Sequence, residues 1–407
     1  MSKIPLEGIK IISFGVGIVV PDMGKTLGQL GADVIKIESN IHPDFMRTIV
    51  PDPNNSPGFN ESNRNHRVFG VNLKTDKGKD LVLKLVESSD IMIENYRGDV
   101  MEDLGFDYES VRRIKPDIIY LSSQGFGKGG PYSEHKGYGP TLTASSGLLS
   151  LWRQPEEEFG CGGSPPHPDN VAAWQGVLAV LAALDYRRRT GIGQHIDLAQ
   201  VEVAASLIGE AQLDYTVNGR VQEPIGNRSL YAAPHNSYKC KGNDKWCVIT
   251  VFTDDDWERF CNAIGNPEWT RDSKFSHMSG RLKNVEELDQ NIEAWTLQYD
   301  PDVVMQTLQA AGVAASTVQR AQDMINDPQL QWRGAIEEME HPVSGNRLYP
   351  STPFNMTDMS FPPNRPAPIL GQHTEEICRE ELHMSDAEIE ALKSDQVLET
   401  PRPDNSD

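Results

Sequence analysis

One carboxylate at the start of a long apolar segment could do chemistry. Asp169 follows Pro168, and the residues behind it carry the three- and four-residue apolar spacing of a packed helix. The apolar positions are Val171, Trp174, Leu178, Leu181 and Leu184. Asp169 is therefore expected at the helix N-terminus, where it could simply cap free N–H groups, a contribution of about 0.5–2 kcal/mol. Alternatively, it is a nucleophile or an acid–base group, which the same N–H groups and the helix dipole would keep ionised.

A second group of residues predicts an anion-binding site. Glycines let backbone N–H groups approach an anion closely, and lysines and arginines supply positive charge. Such residues follow predicted strands at 15–19, at Lys74, at 95–97, at 125–130 and at Lys136. Each cation taken alone is typical of a solvated surface. Their shared position favours binding, because ligands of parallel sheets lie beyond the carboxyl ends of the strands.

Alternating strands and helices must position these residues. The predicted strands are 8–14, 32–38, 68–74, 90–94, 117–123 and 193–198, with helices at 22–30, at 78–87 and from Tyr108 onward. This alternation predicts an α/β fold with a doubly wound parallel sheet. Residues 40–65, rich in Pro, Asn, Ser and Asp, are predicted to form a long surface loop.

The second half of the chain has a different pattern. An apolar stretch at 201–217 predicts a connecting helix, and residues 238–252 predict a hairpin about Gly242. Helices are expected at 254–264, 284–299 and 301–311, and strands and turns return at 323–362. Ser385 and Glu388 predict the capped start of a last helix.

Composition argues against several classes of partner. The 407 residues carry a formal net charge of −21, which argues against nucleic acid and anionic membranes. No apolar run is long enough to span a bilayer, and the ten histidines show no spacing typical of a metal site. The cysteines are odd in number and lack CxxC pairs, which predicts reduced thiols in a cytoplasm; they are Cys161, Cys240, Cys247, Cys261 and Cys378.

A nicotinamide dinucleotide is one alternative ligand for the first strand–helix–strand unit. Gly15 and Gly17 give a GxG after the first strand, and Glu38 ends the second strand, as in dinucleotide-binding folds. Val20 occupies the place of the third glycine, so the match to that fingerprint is incomplete.

Seven segments of the sequence carry a resemblance to a known family. The segments are PLEGIKIISF from Pro5, LGADVIKIE from Leu30, RNHRVFGVNLK from Arg64, ENYRGDVMEDLGF from Glu94, SSQGFGKGGPY from Ser122, RRTGIGQHIDLA from Arg188 and LGQHTEEI from Leu370. Together they resemble the class III coenzyme A transferases, a family that includes formyl-CoA:oxalate and carnitine CoA-transferases, with α-methylacyl-CoA racemases as relatives. The likeness runs almost from end to end. It implies a Rossmann-like large domain with a parallel sheet built from both chain ends, a smaller α+β domain, and ring-shaped chains interlocked as a dimer.

On this pattern the chain divides into four parts. Residues 1–200 form the first part of the large domain, 201–225 a linker helix, 226–325 the small α+β domain, and 326–407 the return to the large domain with the C-terminal tail. The partner is expected to be a second copy or a homologous subunit.

The resemblance also implies roles for individual residues. Asp169 matches the catalytic nucleophile of the family. The residues expected to bind CoA are Ile18, Val19, Val71, Asn72, Leu73, Lys74, Asn95, Tyr96, Arg97, Lys136, Gly137 and Tyr138. Ser39 and Asp103 stand where members acting on formyl-CoA carry CoA-binding arginines, and Ile18 stands where they carry a glutamine.

The resemblance predicts the reaction more closely than the substrates. NRSLYAAPHNSY, from Asn227, replaces the glycine-rich lid of those members, so Arg228, Tyr231 and His235 are expected to bind a larger aromatic or dicarboxylic acid. Likeness to the succinyl-CoA:benzylsuccinate transferases predicts succinyl-CoA as donor and an acid such as benzylsuccinate as acceptor. Coenzyme A is then a substrate, and no metal or permanently bound cofactor is expected.

Two other functions stay open for the same fold. An acyl-CoA racemase or isomerase would need a proton-abstracting group, and Tyr138 stands where the racemases carry a histidine, which favours transfer. A non-catalytic CoA-binding subunit of a heteromer is the other alternative.

Overall fold

The computed structural model describes residues 4–156 and 167–401. The chain divides into two compact units: unit 1 takes Met1–Leu148, Gly162–Leu213 and Gly334–Asp407, and unit 2 takes Leu149–Cys161 and Asp214–Arg333. Unit 1 thus uses both ends of the chain. The predicted domain boundaries do not include the short segment 149–161 that joins unit 2. Cys161 lies outside the described residues.

Strands and helices alternate in the first half of the chain, as predicted. The strands are β1 (Lys10–Phe14), β2 (Asp33–Glu38), β3 (His66–Val71), β4 (Ile91–Glu94), β5 (Ile119–Ser122) and β6 (Gln194–Asp197). The helices are α1 (Val19–Gln29), α2 (Phe45–Thr48), α3 (Pro57–Ser62), α4 (Asp76–Glu87), α5 (Val100–Leu104), α6 (Tyr108–Ile114), α7 (Gly139–Ser145), α8 (Leu148–Leu151), α9 (His167–Thr190), α10 (Gln200–Ser206) and α11 (Gly209–Asn218).

The second half of the chain first completes unit 2, which contains a small antiparallel sheet and helices, and then returns to unit 1. The elements in unit 2 are β7 (His235–Lys239), β8 (Trp246–Thr250), α12 (Asp254–Ala263), α13 (Met278–Lys283), α14 (Val285–Thr296), α15 (Pro301–Ala310), β9 (Ala314–Thr317), α16 (Ala321–Ile325) and α17 (Pro328–Trp332), with 3₁₀ turns at Glu268–Arg271 and Ser273–Phe275. The returning elements are β10 (Ile336–His341), β11 (Gly345–Pro350), α18 (Thr374–Glu380), α19 (Asp386–Ser394) and β12 (Leu398–Glu399).

Seven strands of the described residues form one sheet in the order β12-β3-β2-β1-β4-β5-β6. The six strands β1–β6 pair in parallel, with Ile12 facing Ile35 on one side and Met92 on the other. The predicted wholly parallel sheet needs one correction, because β12 pairs antiparallel with β3. A two-residue strand carries no readable alternation of apolar residues, so the sequence gives little sign of it.

Helices cover both faces of this sheet. Ile12 and Ile35 pack with α4, α18 and α19, whereas Ile11 and Val34 pack with α1 and α9. Because successive strand residues point to opposite faces, each strand supplies both layers of the core. This is the doubly wound arrangement that the alternating pattern predicts.

The buried face of α9 differs from the predicted one. Trp174 and Leu178 are 46% and 68% exposed, although their spacing predicts a packed stripe. The buried face carries mainly small residues, namely Ala172, Ala173, Gly176, Val177, Val180 and Ala183. The reason is the close approach of α1: a β-carbon on Gly176 would lie 2.4 Å from the Met23 Cε.

Two other predicted segments also differ. The predicted linker helix 201–225 is two helices, α10 and α11. The break follows α10, where the backbone forms a tighter turn and the Leu207 N–H donates to the Ala204 carbonyl at 3.2 Å. Helix α11 ends before Gly219, which has a positive φ of 66°. The predicted loop 40–65 contains α2 and α3. Asp44 caps α2 by accepting from Met46 N–H, and Ser56 caps α3 by accepting from Phe59 N–H.

Unit 2 has its own core. Strands β7, β8 and β9 form an antiparallel sheet that packs on α12, α14 and α15. The fully buried Arg281 holds this unit together, donating to the carbonyls of Ala233 (2.8 Å) and Phe275 (3.1 Å) and to Asp254 (2.9 Å). The described cysteines carry free, buried thiols; they are Cys240, Cys247, Cys261 and Cys378.

Candidate active site

A cavity of about 370 Å³ opens at the carboxyl ends of β1, β4, β5 and β6. Its walls come from the segments that follow those strands, from α2, and from the turn that leads into α7. Many of the predicted site residues meet here: Ile18, Asn95, Tyr96, Arg97, Lys136, Gly137, Tyr138 and Asp169. The position agrees with the rule that open α/β sheets bind ligands at this edge.

Asp169 lies in the first turn of α9 and faces this cavity. It is the third residue of the helix, so it lies inside the helix and not at the predicted capping position. Burial raises the pKa of Asp169 to about 6; its own backbone N–H opposes that shift, and repulsion from Asp22 of α1 adds to it. The effect of burial on this pKa therefore exceeds that of the helix terminus, although a carboxyl group with a pKa of about 6 is still mostly ionised at pH 7.

The loop after β1 is held by a buried ion pair. The Lys36 ammonium lies 2.9 Å from the Asp44 carboxylate and also donates to the Gly15 carbonyl. Asp44 in turn accepts from the N–H groups of Gly17 and Met46, each at 3.0 Å. Since Gly17 and Met46 line the cavity, this pair joins two of its walls.

A second buried ion pair stands beside the first. Arg47 donates to both carboxylate oxygens of Glu38, at 2.8 and 3.1 Å, and its guanidinium stacks 3.6 Å from the centre of the Phe59 ring. Glu38 also accepts from the Asp44 N–H at 3.1 Å. A Glu38 that is buried and bonded in this way is not free to bind a ribose, which removes the basis of the nicotinamide alternative.

Asn95 and Tyr96 shape the neighbouring wall through different bonds. The Asn95 amide bonds twice to the Val16 backbone, at 2.9 Å to its N–H and 2.8 Å to its carbonyl. Tyr96 N–H donates to the Glu94 carboxylate at 2.8 Å, and burial raises the pKa of Glu94 to about 7. Arg97 is exposed, with a guanidinium nitrogen 4.0 Å from the Glu134 carboxylate.

The turn before α7 forms the opposite wall. Gly125 and Gly137 touch, since a β-carbon on Gly125 would lie 2.7 Å from the Gly137 Cα. The Tyr138 ring meets the Phe45 ring of α2 edge to face, with centroids 6.1 Å apart. Lys136 is exposed on this turn and forms no ion pair with any other described residue. Positive charge is thus available near the cavity.

Several predicted CoA-binding residues do not line the cavity. Val19 is the buried first residue of α1, and Val71 ends β3. Asn72, Leu73 and Lys74 follow β3, two strands away from β1 on the same edge of the sheet. Their contact with CoA stays a prediction.

The residues predicted to bind the acid belong to unit 2. Arg228 and His235 line a separate cavity of about 320 Å³, and Tyr231 is exposed. The His235 ring nitrogen Nδ1 lies 2.6 Å from the Asn227 carbonyl, and Arg228 lies 3.9 Å from Asp289. Their role in binding an acid stays a prediction.

Sequence reasoning overlooked the polar residues that hold or line the cavity. Lys36 and Glu38 alternate with the apolar residues of β2, whose sequence is DVIKIE, a signal that could have marked buried ion pairs. Asp44, Gln124 and Gln200 gave no such signal, since each stands in an ordinary polar segment. Lys128, in the segment 125–130 that was predicted to bind an anion, is paired with Glu102 at 3.1 Å.

Two searches of the described residues were negative. Between residues 4 and 401, leaving out 157–166, no group of three or more His, Cys, Asp or Glu side chains could hold a metal ion. Across the same residues, no helix has both the length and the apolar character needed to cross a membrane.

Comparison with known proteins identifies relatives along almost the whole chain. A family model described as CoA-transferase family III matches residues 6–374. A probable CoA-transferase of Mycobacterium tuberculosis is 34% identical over 98% of this chain, which spans 51% of that relative's length. The succinate–glutarate CoA-transferase of Agrobacterium fabrum is 29% identical over 93% of this chain and 96% of its own. The crystal structure of a CaiB/BaiF family protein from Brucella suis matches with a TM-score of 0.85 at 29% identity, covering 93% of this chain and 99% of that chain.

Proposed function

This chain belongs to CoA-transferase family III and is an enzyme of the CoA-transferase class, and on that premise we propose that Asp169 carries CoA between two carboxylic acids. The observation that supports this role is a carboxylate in the cavity whose pKa burial raises to about 6. Such a group is about 90% ionised at pH 7, yet it is more basic than an ordinary aspartate. Both properties suit a carboxylate nucleophile.

The proposed reaction proceeds through two covalent intermediates on Asp169. A carboxylate oxygen attacks the thioester carbonyl of the donor, and the C–S bond breaks to give a mixed anhydride and the CoA thiolate. The thiolate then attacks the Asp169 carbonyl, which releases the donor acid and leaves an aspartyl-CoA thioester. The acceptor carboxylate repeats these steps in reverse, so that Asp169 is regenerated without any net transfer of a proton. Because a carboxylate is a weak nucleophile, positioning must supply much of the rate, up to about 7–11 kcal/mol.

The walls of the cavity support binding of an acyl-CoA. Ile18 can border the pantetheine arm, while Arg97 and Lys136 offer positive charge to the phosphates. Asn95 and Tyr96 act mainly by holding the backbone in place, through Val16 and Glu94. Coenzyme A is in this scheme a substrate and not a resident cofactor.

For the acids, we propose succinyl-CoA as donor and a dicarboxylic acid as acceptor. The name of the Agrobacterium relative, a succinate–glutarate CoA-transferase, supports that class. An aromatic dicarboxylic acid such as benzylsuccinate remains within the proposal.

Mass spectrometry tests the role of Asp169 directly. Incubation with succinyl-CoA should give an adduct of the mass of CoA on the peptide that contains Asp169. Asp169→Asn should abolish the adduct and lower turnover by at least about 10³-fold. Asp185→Asn changes an exposed carboxylate on the same helix, and this control variant should still form the adduct and turn over at the wild-type rate. Turnover of Asp169→Asn within about tenfold of the wild type, a loss of only about 1.4 kcal/mol, would contradict the proposal, as would exchange of the α-proton without an adduct.

We propose further that a second copy or a homologous chain covers the outer face of α9. Trp174 and Leu178 are exposed there, four positions apart on one helix face, and large apolar side chains exposed next to each other are typical of an interface. Sedimentation should give a dimer for the wild type and a monomer for Leu178→Asp.

A cytoplasmic location is part of the proposal, because buried free thiols suit a reducing compartment.

A further inference from the structure

A buried glutamate stands behind one wall of the cavity and has no part in the proposed reaction. Glu94 ends β4 and is 2% exposed. Its carboxylate accepts from the Tyr96 N–H at 2.8 Å, and the side chains of Tyr96 and Arg97 line the cavity. Glu94 therefore supports the segment that presents Arg97 to a ligand.

A short row of polar side chains connects Glu94 to the neighbouring strands. Glu94 pairs with Ser122 in the parallel register of β4 and β5, and the Ser122 hydroxyl donates a hydrogen bond to its carboxylate. The Ser122 Oγ also lies 3.1 Å from the His195 Nε2 of β6. The half-buried His195 ring stacks on the Tyr108 ring, with centroids 4.9 Å apart. Three side chains thus share hydrogen bonds across β4, β5 and β6.

The surroundings of Glu94 allow both of its protonation states near neutral pH. Burial raises the pKa of Glu94 to about 7, and the hydrogen bonds from Ser122 and Tyr96 oppose this rise. The charge of Lys128, which follows β5, also opposes it, whereas the charge of Asp197, the last residue of β6, adds to it. Two further titratable side chains lie near Glu94, namely Tyr120 of β5 and His195 of β6.

The two protonation states arrange the hydrogen bonds differently. The ionised carboxylate accepts from both the Tyr96 N–H and the Ser122 hydroxyl, and bonds to a charged acceptor are about twice as strong as neutral ones. In the protonated state the carboxyl group can donate to the Ser122 Oγ, which then donates to the His195 Nε2. The bond from the Tyr96 N–H then loses its charged acceptor and becomes weaker.

We infer that Glu94 is a positioning residue whose ionised form holds the segment 95–97 in the shape that binds acyl-CoA, so that protonation of Glu94 weakens this binding. The inference rests on the proposed function, which assigns Arg97 to the CoA phosphates. Glu94 acts through the Tyr96 backbone and touches no reacting atom. The opposite effect would arise if the Glu94 charge mainly repelled the phosphates, because protonation would then tighten binding.

Binding measured at pH 6 and pH 8 tests the inference. The probe is the succinyl thioester of dephospho-CoA, which lacks the phosphate monoester of CoA that itself titrates at about pH 6. Asp169→Asn serves as the background, because it prevents turnover and removes the titration of Asp169. Glu94 is about 10% ionised at pH 6 and about 90% ionised at pH 8. Kd from titration calorimetry should therefore be about three- to fivefold higher at pH 6.

Two matched variants in the same background assign this pH dependence. Glu94→Gln keeps an acceptor for the Tyr96 N–H but carries no charge, so its Kd at both pH values should resemble the pH 6 value of the background. Glu390→Gln removes an exposed carboxylate of α19 and should keep the full pH dependence.

The outcomes separate this inference from the proposed function. A Kd that is equal at pH 6 and pH 8, or lower at pH 6, would show the inference to be wrong and leave the transferase mechanism intact, and this comparison needs no variant of Glu94. If Glu94→Gln keeps the pH dependence, another group causes it, and the inference is again wrong. If succinyl-CoA neither binds to the wild type nor forms the adduct on Asp169, the proposed function fails together with the inference.

Discussion

Replacing Asp44 by asparagine should destabilise unit 1 much more than the loss of a surface ion pair. The Lys36 side chain is 1% exposed, and without Asp44 its ammonium would be buried against a neutral amide. Breaking a buried pair by removing one partner costs about 3–5 kcal/mol. Asparagine can still accept from Gly17 and Met46, so those bonds, worth about 0.5–1.5 kcal/mol each, need not be lost. We therefore expect Asp44→Asn to lower the free energy of unfolding by about 3–5 kcal/mol. This is a large part of the total free energy of unfolding of a typical protein, which is about 5–15 kcal/mol.

Urea unfolding measures this loss. Asp395→Asn is a matched control, because it removes the exposed pair that Asp395 forms with Lys77 at 2.8 Å, and it should cost less than about 1 kcal/mol. Adding Lys36→Met to Asp44→Asn removes the stranded charge and should recover part of the stability. A cost below about 1 kcal/mol for Asp44→Asn, or a double variant no more stable than the single one, would refute the reasoning.

Two further predictions concern kinetics. The value of kcat/KM should fall below about pH 6, because burial raises the pKa of Asp169 to about 6 and protonation removes the nucleophile. Asp22→Asn should move this fall to lower pH, because it removes a charge that repels the Asp169 carboxylate. A pH profile that is flat to pH 5, or that Asp22→Asn does not move, would contradict this explanation. Asn95→Ala removes both bonds to the Val16 backbone, so KM for succinyl-CoA should rise about tenfold in steady-state assays, whereas an unchanged KM would mean that the loop keeps its shape without Asn95.

The sheet was predictable from the sequence because most of its strands contain a short apolar run, as in KIISF of β1 and IMIE of β4. Strand β1 and strand β4 lie within two residues of their predicted bounds. Strand β3 begins and ends earlier than predicted, at His66 and Val71, because the following segment turns to start α4, with Thr75 capping Gly78 N–H. The buried face of α9 could not be predicted correctly, because apolar spacing alone does not tell which side of the helix packs on α1.

The candidate active site, like the fold, could be predicted from the sequence only in part. The position of Asp169 at the start of α9 follows from local sequence, and its neighbours at strand ends follow from the topology of the sheet. Its pKa could not be predicted, because it depends on burial and on Asp22, which is distant in sequence. The buried pair of Lys36 and Asp44 was missed because Asp44, unlike Lys36, stands in an ordinary polar segment, where nothing local distinguishes a paired interior charge from a solvated one.

The antiparallel strand at the sheet edge has a consequence for biosynthesis. Leu398 pairs with Val71, so the edge of β3 lacks this neighbour until residue 398 has left the ribosome. At about 5–20 residues per second, roughly 330 residues of further synthesis take about 15–65 s. During that time a strand whose six residues are all buried in the finished fold presents unpaired backbone groups to other nascent chains. Chaperone binding during translation should therefore be concentrated on β3, and synonymous changes that slow translation of the second half should increase aggregation.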